Sequence, residues 1–149
     1  MYKKILFSTD GSESALAAGI SASELASLFH SEVILLYVAP GPERAVMDGF
    51  GAGLGIPDTA RGDVPRLVED AVTAILERSR KPFDNRDVKV TQRHIVGDPA
   101  EVICRTARDE KVDLIVLGSR GLGKVAQFFL GSVSREVAQK ASCSVLVVK

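Results

Sequence analysis

Val112-Asp113-Leu114-Ile115-Val116-Leu117-Gly118-Ser119-Arg120-Gly121, followed nine residues later by Gly131-Ser132, is the stretch that decides the fold. A continuous apolar run, rather than an alternating one, belongs to a strand covered on both faces, and such strands are the rule in parallel sheets flanked by helices. The run stops at Gly118, and a helix-like segment begins near Ser132. Glycines at these places let backbone N–H groups approach a ligand closely, while the first turn of a helix adds unpaired donors and a partial positive charge. The loop therefore reads as an anion cradle, with Arg120 and Lys124 as flexible cations within it.

The same grammar recurs along the chain. Ile5-Leu6-Phe7 is a short apolar run broken by Ser8-Thr9-Asp10-Gly11-Ser12, and a helix over about 14–30 follows with many Ala and Ser residues. Val33 to Val38 is a second buried run. From Val64 the apolar positions Leu67, Val68, Ala71, Val72, Ile75 and Leu76 keep the spacing of an amphipathic helix. Val88, Val90 and His94-Ile95-Val96 predict a third strand with some alternation, nearer a sheet edge. Asp98-Pro99-Ala100-Glu101 reads as a helix start, with Asp98 as cap. Ser144 to Val148 is a fifth strand.

Strands alternating with helices predict right-handed crossovers and an open parallel sheet with helices on both faces, a Rossmann-like α/β domain spanning 1–149. Ligands bind such sheets beyond the carboxyl ends of the strands. Asp10, Val38 and Gly118 all fall at strand ends, so three strands converge on one expected site.

Composition narrows the function classes. The chain has 149 residues, 46% hydrophobic and 26% charged, with 19 Lys+Arg against 19 Asp+Glu. The balance gives no overall basic field for nucleic-acid or membrane binding, so phosphate affinity must be local. No segment has the length of a membrane span or the pattern of a signal peptide, which gives a cytoplasmic expectation. Cys104 and Cys143 lack metal or redox spacing and read as reduced core thiols. His30 and His94 sit beside no nucleophile and read as surface or satisfied histidines. The Gly- and Pro-rich stretch over 39–62 is too long for an ordinary connection; a stretch of that length tends to be a lid, a binding loop or a disordered segment, and this one reads as a mobile loop rather than a domain linker.

Two familiar phosphate motifs nearly match the glycine loop. Gly118-x4-Gly123-Lys124 follows the P-loop until Val125, where Ser or Thr should hold Mg²⁺. Gly121-x-Gly123-x-x-Ala126 follows the dinucleotide fingerprint, but it precedes the last strand rather than opening the first βαβ unit. Neither context fits.

The longer spacing, Gly118-x2-Gly121-x9-Gly131-Ser132, resembles the hallmark of the universal stress protein family, and the likeness extends over the whole chain. It takes in the first strand ending in Asp-Gly-Ser, the Leu-Leu-Tyr-Val strand, Gly97-Asp98-Pro99, and the final Ser-Val-Leu-Val-Val. The resemblance implies a five-stranded parallel sheet in the order 3-2-1-4-5, dimerising through the last strand, Val145 to Val148. It also implies an ATP site, or one for AMP or ADP, with Mg²⁺ as a companion ion. Thr9 and Asp10 would meet the nucleoside and the Val38 backbone the adenine edge. Gly118, Gly121, Gly131, Ser132, Val133 and Ser134 would meet ribose and phosphates. Read from the loop itself, Leu117, Arg120 and Lys124 join this set, with ordinary solvated charge as the alternative for the two cations. One departure is Ser8, where nucleotide-binding members often carry proline.

The role implied is a stress-response or regulatory module without catalytic residues. Two rivals remain: a slow ATPase or phosphotransferase, for which no general base is apparent, and a dimeric interaction module that binds no nucleotide. Asp10 also has a plainer reading, as the cap of the helix that follows it.

Overall fold

The computed structural model describes residues 1–41, 64–121 and 130–149. The elements run β1 (Lys4–Thr9), α1 (Glu13–Phe29), β2 (Glu32–Ala39), α2 (Val64–Arg80), a single 3-10 turn (Lys81–Phe83), β3 (Val90–Val96), α3 (Pro99–Asp109), β4 (Leu114–Gly118), α4 (Ser132–Lys140) and β5 (Ser144–Val148). The five strands form one parallel sheet in the order β3-β2-β1-β4-β5.

Alternation along each strand sorts the core into two layers. Ile5, Phe7, Val33, Leu35, Leu114 and Val116 pack against α1 and Phe83. Leu6, Ile34, Leu36, Val38, Ile115 and Leu117 pack on the opposite face against α3 and Val137 of α4. Farther along β2, Tyr37 and Ala39 are covered by Val68, Val72, Ile75 and Leu76 of α2. The three central strands are thus buried on both sides, which is why their sequences run apolar without a break.

Helix α1 lies close to the sheet because its inner face is made of small residues, Ala15, Ala18, Gly19, Ala22, Ser23 and Ala26. A β-carbon at Gly19 would come within 3.0 Å of the Phe7 ring. Its N-cap is Ser12, whose Oγ accepts from the Ala15 N–H at 3.3 Å. The plainer reading of Asp10 as helix cap is therefore replaced: Asp10 Oδ1 accepts instead from the Ser12 N–H at 3.0 Å, closing the turn that leads into the cap. Helix α3 starts as the sequence predicts, with Pro99 in its first turn and Asp98 Oδ1 accepting from the Glu101 N–H at 3.1 Å.

The third strand differs in extent. It begins at Val90, leaves Val88 outside, and includes the polar Thr91, Gln92 and Arg93. Each of its residues pairs with β2 from Val33↔Val90 to Ala39↔Val96, so the ladder holds a segment whose outer positions face solvent at the sheet edge. Strand β5 is the other edge, with Val145 to Val148 all half-buried. Both cysteines are free, and burial pushes both thiols up from their ordinary range. His30 and His94 are both exposed. No described helix is long and apolar enough to cross a membrane.

Candidate functional site

Strands β1 and β4 are neighbours, yet the chain leaves them on opposite faces of the sheet, toward α1 after β1 and toward α4 after β4. A crevice opens at such a topological switch point, outside the carboxyl ends of the strands. The expected site residues at Thr9-Asp10 and Gly118-Gly121 stand on its two sides.

At the end of β1 the two predicted side chains part company. Thr9 is buried, and its Oγ1 shares a hydrogen bond of 2.9 Å with Ser79 Oγ on α2 while accepting from the Gly11 N–H at 3.2 Å. Its hydroxyl thus ties β1 to α2 from within. Asp10 is half-buried, and its second carboxylate oxygen lies 2.7 Å from where a β-carbon on Gly121 would stand. Two segments more than 100 residues apart in sequence therefore meet at a carboxylate and a bare α-carbon.

The glycine loop is drawn into a ring. The Gly131 N–H and the Ser134 hydroxyl both donate to the Ser119 carbonyl, at 2.7 and 3.0 Å, and the Ser119 N–H donates to the Val148 carbonyl at 2.6 Å. A β-carbon on Gly131 would fall 3.3 Å from Ser119 O, 3.6 Å from Arg120 Cα and 3.8 Å from Gly121 N. The two ends of the loop thus approach as only glycine at 131 freely allows. Gly131 is the N-cap of α4 and brings no side chain to it, so the first-turn amides of Ser132 and Val133 have no side-chain cap. Ser132 is exposed and Val133 half-buried, whereas Ser134 is buried with its hydroxyl directed to Ser119 and Gly131. Ser134 holds the ring together; its hydroxyl faces inward.

Gly118 serves a different contact. A β-carbon there would meet Ser14 Oγ at 2.5 Å and the Ala15 backbone nitrogen at 2.6 Å, so its bareness lets α1 start directly over the end of β4. Arg120 is exposed, while its carbonyl accepts from Ser12 Oγ at 3.1 Å and from Ser14 Oγ at 2.6 Å. Leu117 is a core residue through its side chain. Lys124, with Gly123, Phe128 and Phe129, lies outside the described residues, as does most of the predicted loop over 39–62.

Val38 stands one position beyond the Thr9↔Tyr37 pair that ends the β1–β2 ladder. The Ala39 carbonyl accepts from Gly97 N–H, on the β3 side. Because successive residues of a strand direct their backbone polar groups to opposite sides, those of Val38 face the β1 side, where the N–H closes the ladder at Thr9 and the carbonyl alone extends past the last pair, toward the crevice. Its side chain is buried.

Beside the loop, a cleft of about 700 Å³ is lined by Ser12, Glu13, Ser14, Ala17, Ser119, Arg120, Gly121 and Lys149. It lies on the α1 side and, among the described residues, shares Arg120 and Gly121 with the predicted set; Thr9, Asp10 and Val38 do not line it. The electrostatic mark of Asp10 is found instead on Tyr37, whose hydroxyl is pushed up to about 12, first by burial and second by the Asp10 charge. Among the described residues no three His, Cys, Asp or Glu side chains gather as a metal site.

Reasoning from sequence missed Ser12, Ser14, Ser79 and Ser119, the polar residues that hold the crevice in shape. The position of Ser12 just before a helix, with Glu13 in the first turn, is the one available signal among them, an ordinary N-cap pattern.

The whole chain, residues 1–149, matches the model of the universal stress protein family. Universal stress protein MJ0577 of Methanocaldococcus jannaschii is 34% identical over 155 residues, covering 100% of this chain and 96% of that protein. In its solved structure, MJ0577 aligns at 36% identity with a TM-score of 0.78, over 100% of this chain and 96% of the other. Two more distant structures share the fold: a universal stress protein in complex with cAMP (24% identity, TM-score 0.66, 99% of this chain and 96% of that one) and one from Archaeoglobus fulgidus in complex with dAMP (20%, 0.58, 100% and 98%). On this evidence the chain belongs to the universal stress protein family.

Proposed function

We propose that this protein binds an adenine nucleotide, ATP or its AMP and ADP relatives, across the β1/β4 crevice and acts as a regulatory module of the stress response. The observation that carries the reading is the meeting of Asp10 with Gly121, because it joins a carboxylate suited to ribose hydroxyls to a ring of amides suited to phosphate. Val38 would present its backbone to the base, and Gly121, Ser132 and Val133 their N–H groups to the phosphates, with Arg120 and Lys124 closing over the charge. Leu117, Gly118, Gly131 and Ser134 would shape this cradle, and Thr9 would hold the β1 side of it. Related folds solved in complex with cAMP and dAMP support the choice of adenine.

Mg²⁺ would take most of its ligands from phosphate and water, given the donor groups among the described residues. The protein would act in the cytoplasm as a homodimer joined through β5, a half-buried apolar edge strand. Calorimetric titration with ATP, AMP and cAMP tests the reading: saturable one-site binding supports it. No heat and no thermal stabilisation at millimolar nucleotide would leave the interaction module as the better account.

A further inference from the structure

The Arg120 carbonyl receives two hydroxyl protons from the start of α1. Ser12 Oγ donates to it at 3.1 Å and Ser14 Oγ at 2.6 Å, and Ser14 Oγ also accepts from the Arg120 N–H at 3.3 Å. A peptide unit is planar and trans, so its C=O and the following N–H point in opposite directions. With the Arg120 carbonyl held toward α1, the Gly121 N–H is turned away from α1. Gly121 N is also the atom that stands 3.8 Å from the β-carbon position of Gly131, beside the uncapped first turn of α4. The clamp therefore adds one more donor to the amides of Ser132 and Val133.

Without the clamp the 120–121 peptide has little to resist rotation, since Gly121 tolerates backbone conformations that other residues do not. A rotated peptide would turn the carbonyl dipole, negative end first, toward the place where phosphate charge would sit.

We infer that Ser12 and Ser14 are positioning residues for phosphate: their hydroxyls fix the Arg120–Gly121 peptide so that its N–H, and not its carbonyl, faces the anion. The inference rests on the adenine-nucleotide reading of the crevice and deepens it, because neither serine is required to touch the ligand. The hydroxyl is the essential feature, so threonine should replace serine at 14 and alanine should not.

The test is titration of wild type, Ser14→Ala, Ser14→Thr and the double variant Ser12→Ala/Ser14→Ala with ATP and, separately, with adenosine. The expected result is about tenfold weaker ATP binding in Ser14→Ala, a larger loss in the double variant, recovery in Ser14→Thr, and adenosine affinity unchanged throughout. A merely structural role would weaken both ligands together. Ser12 also caps α1, so Ser14→Ala, which leaves that cap in place, keeps the inference testable if the double variant folds poorly. Wild-type binding of ATP with undiminished affinity in Ser14→Ala would overturn the clamp alone. Failure of the wild type to bind either ligand would overturn the nucleotide reading and the clamp with it.

Discussion

The carboxylate of Asp10 rests against the α-carbon of Gly121, so closely that a β-carbon on the glycine would lie 2.7 Å from Oδ2. Among the described residues the next atom in that direction is Asp10 Cγ, at 3.9 Å. The obstacle to a larger residue is the movable end of a side chain, which can swing aside, and in the proposed site that swing would carry the carboxylate off the ribose. Gly121→Ala is expected to weaken ATP binding about tenfold, about 1.4 kcal/mol, while leaving the urea unfolding midpoint nearly unchanged. Equal ATP affinity in the variant would remove Asp10 and Gly121 from the site.

Gly118 gives the opposite expectation. The β-carbon of alanine would press on the Ala15 nitrogen at 2.6 Å and the Ser14 carbonyl carbon at 2.7 Å, and this backbone cannot move without shifting the start of α1. Gly118→Ala should destabilise the fold by about 1–3 kcal/mol, the usual range for overpacking. Chemical denaturation of the variant reads the loss directly, and a stability equal to wild type would mean that α1 is not seated on β4 as described.

What could be read from the sequence, and what could not, divides along the range of the interactions. Runs such as Val33 to Val38 and Val112 to Leu117 announce burial through their own composition, and the α2 periodicity and the Asp98-Pro99 start are decided within a few residues. The glycine spacing at 118, 121 and 131 likewise marks where the chain must come close to something. The partners are another matter. Thr9 looks like a ligand-facing residue at a strand end, yet alternation points it to the α2 face, where Ser79 waits 70 positions away. Ser134 looks like a hydroxyl donor at a helix start, yet the ring brings the Ser119 carbonyl to it first. No local pattern encodes such pairs, and Ser14, in contact with a carbonyl 106 positions on, is legible only in three dimensions.

The Thr9–Ser79 pair makes its own prediction. Both residues are buried, at 4% and 1% exposure, so removing one hydroxyl strands the other without water to replace it. Ser79→Ala or Thr9→Val should each cost about 1–3 kcal/mol, the range for an unsatisfied buried polar group. The double replacement should lose less than the sum, because no orphaned hydroxyl remains, although the Gly11 N–H would still lack its Thr9 acceptor. A double-mutant cycle by urea denaturation measures this coupling, and strict additivity would contradict a direct bond.

Alkaline stability should carry the signature of Tyr37. An unfolded tyrosine ionises near about 10, whereas burial and then the Asp10 charge raise Tyr37 to about 12 in the fold. Between these values the unfolded chain has released the proton and the folded chain still holds it, so stability falls as pH rises through the window. Below the unfolded value the contribution is fully present. Lys140, raised by its bond and charge contact with Glu136, adds an alkaline loss of its own, but equally in any Tyr37 variant. Tyr37→Phe should therefore flatten the decline between pH 10 and 12, as followed by the denaturation midpoint. A slope identical to wild type would show that Tyr37 is not the group being titrated.

The proposed dimer can be tested at one backbone position. The Val148 carbonyl accepts from the Ser119 N–H on the β4 side, so by alternation the backbone groups of Val145 and Val147 face outward along the free edge of the sheet. Proline is tolerated on an edge strand when the missing N–H faced solvent, and it removes a donor that a partner strand would need. Val145 lies at the start of β5, away from the Ser119–Val148 bond that anchors the glycine loop. Val145→Pro should leave the sheet and ATP affinity within about threefold of wild type, while shifting the species seen by light scattering from dimer to monomer. A wild type that scatters as a monomer at working concentration, or a proline variant that stays dimeric, would place the contact between copies somewhere other than β5.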